Sequence, residues 1–511
     1  MDLSHWIERH AAYAPAKPAI RFDGHDIGFS KFARRIELLA AALQRELRIL
    51  RGDRIAILSV NTPEFLDLFF ACQRIGATLV PLNWRLAPPE HHAILENADV
   101  SALFAHAEFH RGLEPMRLRL RHIRHWIGYS GAQHGWTDYA ALLAAGEGRA
   151  ADRLGRPNDP ALIVYTSGTT GEPKGAVLTQ ESLLWTSING AAMHDMTAAD
   201  RVLTFLPMFH VGGLNIQTLP ALHLGATVIL QPRFHPAAAL RAIAAERPTI
   251  TLLVPAVMKA LIEHPAWPSA DLSSLRLAGA GSSVVPVELI EAFHARGVPI
   301  CQVYGSTETG PTAIVLRRED AVRKAGSTGT SALHCEVRVV DADGRDVGRG
   351  VHGEILVRGP NVMSGYWRDS QASEAVLVDG WFHTGDVGHQ DADGYYWIDE
   401  RKKDMIISGG ENIYPAELEA VLVECPEIAE ASVVARVHVK WGEVPVAVCV
   451  RKPGAAITGA AVKALFVGRL ARFKHPHEVL FVDALPRNAI GKVLRFKLRQ
   501  QVQASVPADQ S

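Results

Sequence analysis

Between residues 55 and 304, short apolar runs alternate with segments patterned as helices, and this alternation restricts the fold more than any other feature of the chain. Residues 55–60, 78–82 and 101–105 read as strands. Between the first two, Thr62 caps a helix that Pro63 opens and Gly76 closes, with Phe65, Leu68, Phe69, Cys72 and Ile75 on one face. Residues 162–165, 227–230, 251–254, 275–278 and 300–304 read as further strands. Strands alternating with helices predict an α/β protein whose mostly parallel sheets are covered by helices on both faces. From about Gly326 the pattern changes. Residues 337–340, 353–358 and 395–398 are short, turn-bounded strands, and DADG occurs twice, at 341–344 and 391–394. This predicts a small β-barrel-like subdomain. Further on, Pro415 opens a helix that buries Leu418, Val421 and Leu422.

At 511 residues the chain exceeds what one core accommodates, so at least two domains are expected. The net charge of −1 supplies no overall field to hold nucleic acid, and none is expected as a partner. Cys72, Cys301, Cys335, Cys425 and Cys449 are far apart, without zinc-type or CxxC spacing, and fit a reducing cytoplasm. The first ten residues, MDLSHWIERH, carry no secretory apolar core, and no apolar run approaches the roughly 20 residues that span a bilayer. Residues 116–126 read MRLRLRHIRHW. Arg117, Arg119 and Arg121 alternate with leucines as on the polar face of an edge strand. A weak peripheral contact with anionic lipid is the second reading.

Residues 165–175 read YTSGTTGEPKG: three glycines, one serine and three threonines in one loop beside Lys174. Glycine lets the main chain approach a phosphate closely, and successive N–H groups in such a turn form an anion-binding concavity. The preceding apolar run places the loop at the end of a buried strand. A Walker loop, GxxxxGK[ST], is absent, and residues 279–284 lack the third glycine of GxGxxG, so kinases and nicotinamide enzymes fit poorly. The stretch resembles the signature loop of the adenylate-forming (AMP-binding) superfamily. The resemblance continues in order to about residue 500, and it is to the acyl-CoA synthetase branch, most like bacterial fatty-acyl-CoA and feruloyl-CoA-type ligases.

The resemblance implies a large N-terminal domain, residues 1–402, hinged at Lys403 to a mobile α+β C-terminal domain, residues 403–500, with a polar tail at 501–511. It implies an ATP site made of Thr166, Ser167, Gly168, Thr169, Thr170, Gly171 and Lys174, with Gly281, Tyr304, Gly305, Asp386 and Arg401 on the nucleoside. Tyr304 offers a flat face to adenine, Asp386 accepts from the ribose hydroxyls, and Thr307 offers a hydroxyl to the α-phosphate. Glu308 supplies the hard oxygen that Mg²⁺ prefers. In FLPMFHVGG, at 205–213, His210 faces the carboxylate, and Gly213, Leu214 and Ser282 line the acyl pocket. Lys492, in PRNAIGKVLR, matches the mobile catalytic lysine. Gly409, Gly410, Trp441, Phe473 and Lys474 match positions that meet coenzyme A.

The reaction so implied joins a carboxylic acid to ATP, releasing pyrophosphate, and then to the thiol of CoA, releasing AMP. Medium- or long-chain fatty acids and aryl-propenoic acids both fit. A carrier-protein-loading adenylation enzyme is the first alternative, a luciferase-type oxygenase another, and a nucleotide-binding pseudoenzyme the alternative from a different class. Either a monomer or a homodimer is compatible with the sequence.

Overall fold

The computed structural model describes residues 1–131, 134–167, 173–282, 285–401, 405–486 and 493–504. The chain forms two compact units. One comprises Met1–Trp84, Leu95–Val164 and Gly175–Glu400; the other comprises Arg85–Ile94, Tyr165–Lys174 and Arg401–Ser511.

Among the described residues, the larger unit is built on three sheets. A nine-stranded sheet has a parallel centre in the order Ile300–Tyr304, Leu277–Gly281, Ile250–Leu253, Arg201–Thr204, Thr227–Leu230 and Pro18–Phe22, with short antiparallel strands at both edges. An eight-stranded sheet centres on Thr78–Leu82, Arg54–Leu58 and Ala102–His106, all parallel. These strands are apolar on both faces because helices cover both, as parallel crossovers require. The helix Pro63–Ile75 shows how locally this is written. Thr62 occupies the N-cap, Pro63 opens the first turn, and Gly76 ends the helix in the left-handed conformation at φ 75°. Its face of Phe65, Leu68, Phe69, Cys72 and Ile75 is fully buried. The third sheet is five-stranded, half of a barrel, with Glu336–Val340, Gly353–Arg358 and Trp381–Gln390 paired antiparallel.

In the smaller unit, Ile428–His438 and Gly442–Arg451 form a long antiparallel pair, flanked by Ile406–Ser408 and, in parallel, Glu478–Phe481. The helix Pro415–Val423 buries Leu418, Val421 and Leu422 against Ile406, Ile413 and Phe466. Two short N-terminal segments cluster with these C-terminal residues, a grouping that chain order does not announce.

The arginine-rich stretch is not an edge strand. Arg117 is the last residue of the helix His110–Arg117, and the N–H groups of Arg119 and Leu120 both turn back to the Met116 carbonyl, each at 2.9 Å. Leu120 is fully buried while Leu118 is exposed, so the alternating leucines do not share a face. Five residues of alternation are too few to outweigh helix-type backbone bonds. No helix among the described residues is long and apolar enough to cross a membrane. All five cysteines are free and buried.

Candidate active site

In the larger unit the central strands of the nine-stranded sheet end at Gly281 and Tyr304, where ligands of parallel sheets are received. From Tyr304 the chain enters Gly305, Ser306 and a single 3₁₀ turn, Thr307–Thr309. The Ser306 N–H donates to Thr309 Oγ1 at 2.8 Å, tightening the turn. Buried Asn361 fixes it from outside, its Nδ2 donating to the Thr309 carbonyl at 2.6 Å. Gly305 has to be glycine, since a Cβ there would lie 1.9 Å from the Pro311 carbonyl oxygen. The turn places Tyr304, Thr307 and Glu308 together.

Asp386 reaches the same place from the half-barrel sheet, on the strand Trp381–Gln390. It is buried, and its Oδ2 accepts from the Tyr304 hydroxyl at 2.8 Å. Its own N–H donates to Thr384 Oγ1 at 3.0 Å, which fixes the backbone that carries it. A carboxylate held this way is an acceptor-only group, suited to a pair of hydroxyls. Glu308 is held similarly. Its Oε1 accepts from the Tyr366 hydroxyl at 2.8 Å, and its carbonyl accepts from the Met363 N–H at 2.7 Å. Tyr366 was not marked by any motif. It lies on the two-residue strand Gly365–Tyr366, where it pairs with Ala176 just beyond the glycine-rich loop. That tertiary pairing, with the Met363 N–H bonded to the Glu308 carbonyl, brings it to Glu308. A half-buried carboxylate with one oxygen positioned by a neutral donor fits the hard-oxygen coordination that Mg²⁺ favours.

The acyl-pocket assignments divide. His210 stands at the N-cap of the short helix Val211–Asn215, its ring against Phe209 at 4.4 Å. Ser282, exposed with φ 77°, follows Gly281, whose Cβ would meet the Val303 carbonyl oxygen at 2.4 Å. Gly213 and Leu214 do not line free space. A Cβ at Gly213 would strike the Pro207 carbonyl oxygen at 2.2 Å, and Leu214 is buried in the main core. The glycine that leaves room is its neighbour Gly212, whose Cβ would meet nothing within 4 Å.

In the smaller unit, Thr166 Oγ1 donates to the Lys174 carbonyl at 3.4 Å, across the base of the glycine-rich loop. Ser167 ends the strand Pro160–Ser167, and Arg401 ends Tyr396–Arg401. Gly168, Thr169, Thr170, Gly171, Lys403 and Lys492 lie outside the described residues. Gly409 and Gly410 form the turn between two strands with φ 60° and 87°. The Gly409 N–H donates to the Trp441 carbonyl at 2.8 Å, and a Cβ on Gly409 would meet the indole at 2.9 Å. These three residues are thus brought together. Phe473 packs against the C-terminal core. Lys474 is not a free cation facing a phosphate. It is buried, with Nζ donating to Glu90 Oε1 at 2.6 Å and paired to Glu417 Oε2 at 2.9 Å. Burial pulls the Lys474 pKa down, but Glu417 and Glu90 outweigh it and hold the ammonium above the ordinary lysine value.

The chain is similar to known proteins over almost its whole length. The AMP-binding enzyme family matches residues 7–367, and the AMP-binding enzyme C-terminal domain matches residues 417–492. The chain is 51% identical over 503 residues to an indoleacetate–CoA ligase of Aromatoleum aromaticum, covering 98% of each. It is 40% identical over 502 residues to a feruloyl-CoA synthase of Amycolatopsis, covering 98% of this chain and 99% of the relative. Among solved structures, a double mutant of o-succinylbenzoate CoA synthetase from Bacillus subtilis, bound with a product analogue, superposes with a TM-score of 0.84 at 31% identity. That match covers 97% of this chain and 98% of the other.

Proposed function

The chain belongs to the AMP-binding enzyme family, and on that premise we propose that the acid it activates is aromatic, an arylacetic or aryl-propenoic acid, with Mg²⁺ carried by ATP. The enzyme itself is an AMP-forming acid–thiol ligase of the acyl-CoA synthetase branch. The observation that carries the substrate class is the 51% identity, end to end, to a ligase named for indoleacetate.

The residues support a two-step reaction. A carboxylate oxygen of the acid attacks the α-phosphorus of ATP, forming the acyl-adenylate and releasing pyrophosphate. Asp386, held by Tyr304, receives the ribose hydroxyls and so fixes the nucleotide. Thr307, on the turn that follows Tyr304, is assigned the donation to the α-phosphate. Glu308, positioned by Tyr366, would hold Mg²⁺, which neutralises phosphate charge when bound. Lys492 is assigned the contact that bridges acid and α-phosphate, stabilising charge as it builds in the transition state. The CoA thiolate then attacks the acyl carbonyl, and AMP leaves as the oxygen–carbonyl bond breaks. The Gly409–Gly410 turn, which a side chain would crowd against Trp441, is the assigned path for the pantetheine arm.

The test is CoA-thioester formation over fatty acids from C2 to C18, benzoates, cinnamates and arylacetates. The highest kcat/KM is expected among the arylacetates or cinnamates. A medium- or long-chain fatty acid turned over about tenfold better than every aromatic acid would replace this reading with the aliphatic one. Pyrophosphate exchange without any acyl-CoA would favour a carrier-loading enzyme.

A further inference from the structure

One strand of the larger unit carries a narrow glycine track with polar groups over it that nothing in the fold uses. Gly279 and Gly281 alternate along Leu277–Gly281 and therefore face the same side of the sheet. Gly281 ends the strand beside Ser282, at the site just described. Over Gly279, deeper along the strand, a Cβ would meet Gln217 Nε2 at 2.8 Å, Leu252 Cδ1 at 2.9 Å and His194 Nε2 at 3.7 Å. Gln217 precedes the helix Thr218–Leu224, two residues beyond the short helix that His210 opens. His194 ends the helix Gln180–Met193. Four separate elements thus converge on one spot below Gly281.

Both polar side chains are buried, 2% exposed for Gln217 and 1% for His194. Neither the Gln217 Nε2 nor its Oε1 has a hydrogen-bond partner, and the His194 Nε2 has none either. Buried polar atoms are nearly always paired, so three orphans around one glycine call for a partner from outside the chain. The His194 tautomer is fixed. Its Nδ1 faces the Gly190 carbonyl at 2.8 Å and must carry the hydrogen, which leaves Nε2 as an acceptor. Burial keeps the ring neutral by pushing its pKa down. The spot therefore offers a fixed acceptor from His194 and an acceptor–donor pair from Gln217.

We propose that Gln217 and His194 form the polar floor of the acyl site and select an aromatic acid whose far end carries an N–H or O–H donor. This deepens the aromatic-acid reading above and rests on it. The carboxyl end of such an acid would lie toward Gly281 and His210, and its ring would stop at Gln217 and His194, since Gln217 and Leu252 already fill the space over Gly279. Gly279 has to lack a side chain because a Cβ would occupy the place where the two polar groups meet. A site built to hydrogen-bond a substrate group discriminates strongly against an isostere that lacks it, because its own buried groups are then left unpaired.

The test compares indole-3-acetate with 1-benzothiophene-3-acetate, in which sulfur replaces the ring N–H at nearly the same shape, using the full-length enzyme with ATP, Mg²⁺ and CoA. Wild type is expected to favour the indole acid by at least about tenfold in kcat/KM. In Gln217→Leu the ratio is expected to fall to within about threefold of one. Equal kcat/KM for the two acids in wild type would overturn the proposal and leave the floor to buried water; this comparison needs no variant to fold. A Gln217→Leu enzyme that is slower with both acids by the same factor would also overturn it. Turnover of aromatic acids without discrimination sinks this inference alone. Absence of thioester from every aromatic acid, with aliphatic acids turned over, sinks the aromatic reading as well.

Discussion

The Tyr304 hydroxyl donates to Asp386 Oδ2 at 2.8 Å, joining residues 82 positions apart. The bond ties the end of a parallel strand in one sheet to a strand of the half-barrel. Tyr304 also packs on the half-barrel core of Val339, Ile355, Val357 and Tyr396. The end of the site proposed for the nucleoside is therefore fixed by packing, and the proposed ribose carboxylate, Asp386, is already oriented by Tyr304.

Asp386→Ala should raise KM for ATP about tenfold or more, since a hydrogen bond to a charged group contributes roughly 1.5–3 kcal/mol. Tyr304→Phe should act in the same direction but less, about threefold to tenfold, because the carboxylate remains and only its orientation loosens. ATP–pyrophosphate exchange as a function of ATP concentration measures both. Unchanged KM in both variants would remove Asp386 from the ribose.

Lys492→Ala should abolish adenylate formation while sparing thioester formation from supplied acyl-adenylate. Losing one preorganised charge contact in the transition state costs a factor of about 10²–10³. The two half-reactions are measured separately, by pyrophosphate release and by CoA consumption from synthetic acyl-adenylate. Equal loss of both would point to misfolding rather than to a role in one step.

What the sequence disclosed and what it hid divide along the range of the interaction. The helix between Thr62 and Gly76 was legible because its cap, its proline and its closing glycine are all local signals. Thr227–Leu230 and Ile300–Tyr304 were legible as apolar runs between helices. Tyr366 was not, because its bond to Glu308 spans 58 positions and depends on a two-residue strand pairing beyond the glycine-rich loop. Gly212 and Gly213 are indistinguishable in sequence, yet one faces open space and the other a backbone carbonyl. Lys474 was assigned to coenzyme A by resemblance alone, whereas its carboxylate partners, Glu90 and Glu417, are far away in the chain.

A pH effect on stability follows from His223. Its ring stacks on Trp6 at 4.3 Å, and its Nδ1 is 3.0 Å from Ser187 Oγ. Burial, with the nearby His10 adding, pushes its pKa down to about 4. The folded protein therefore keeps this ring neutral at pH values where the unfolded chain, titrating near 6.5, already binds a proton. Stability is unaffected by His223 above about pH 6.5 and falls as pH drops from there toward 4, by roughly 3 kcal/mol at most. His223→Gln should lose less melting temperature than wild type over that interval. Parallel Tm–pH curves for the two proteins would show that His223 does not titrate as described.

Lys474 offers the sharpest choice between two roles. As a coenzyme A contact, its replacement should raise KM for CoA and leave the fold alone. As the cation between two buried carboxylates, its replacement should unfold the smaller unit first. The Glu90 Oε2 also accepts from the Ala471 N–H at 2.8 Å, so the carboxylate that Lys474 neutralises holds the backbone as well. Burial already raises the Glu417 pKa, and removing the ammonium would leave two acids with no neutralising charge. Breaking a buried pair by deleting one partner costs about 3–5 kcal/mol. Lys474→Met, which keeps the apolar stem, should therefore lower the thermal or urea midpoint clearly. Glu90→Gln combined with Lys474→Met should recover part of the loss, because one stranded charge is removed. A variant with wild-type stability and a raised KM for CoA alone would reverse the assignment and return Lys474 to the coenzyme.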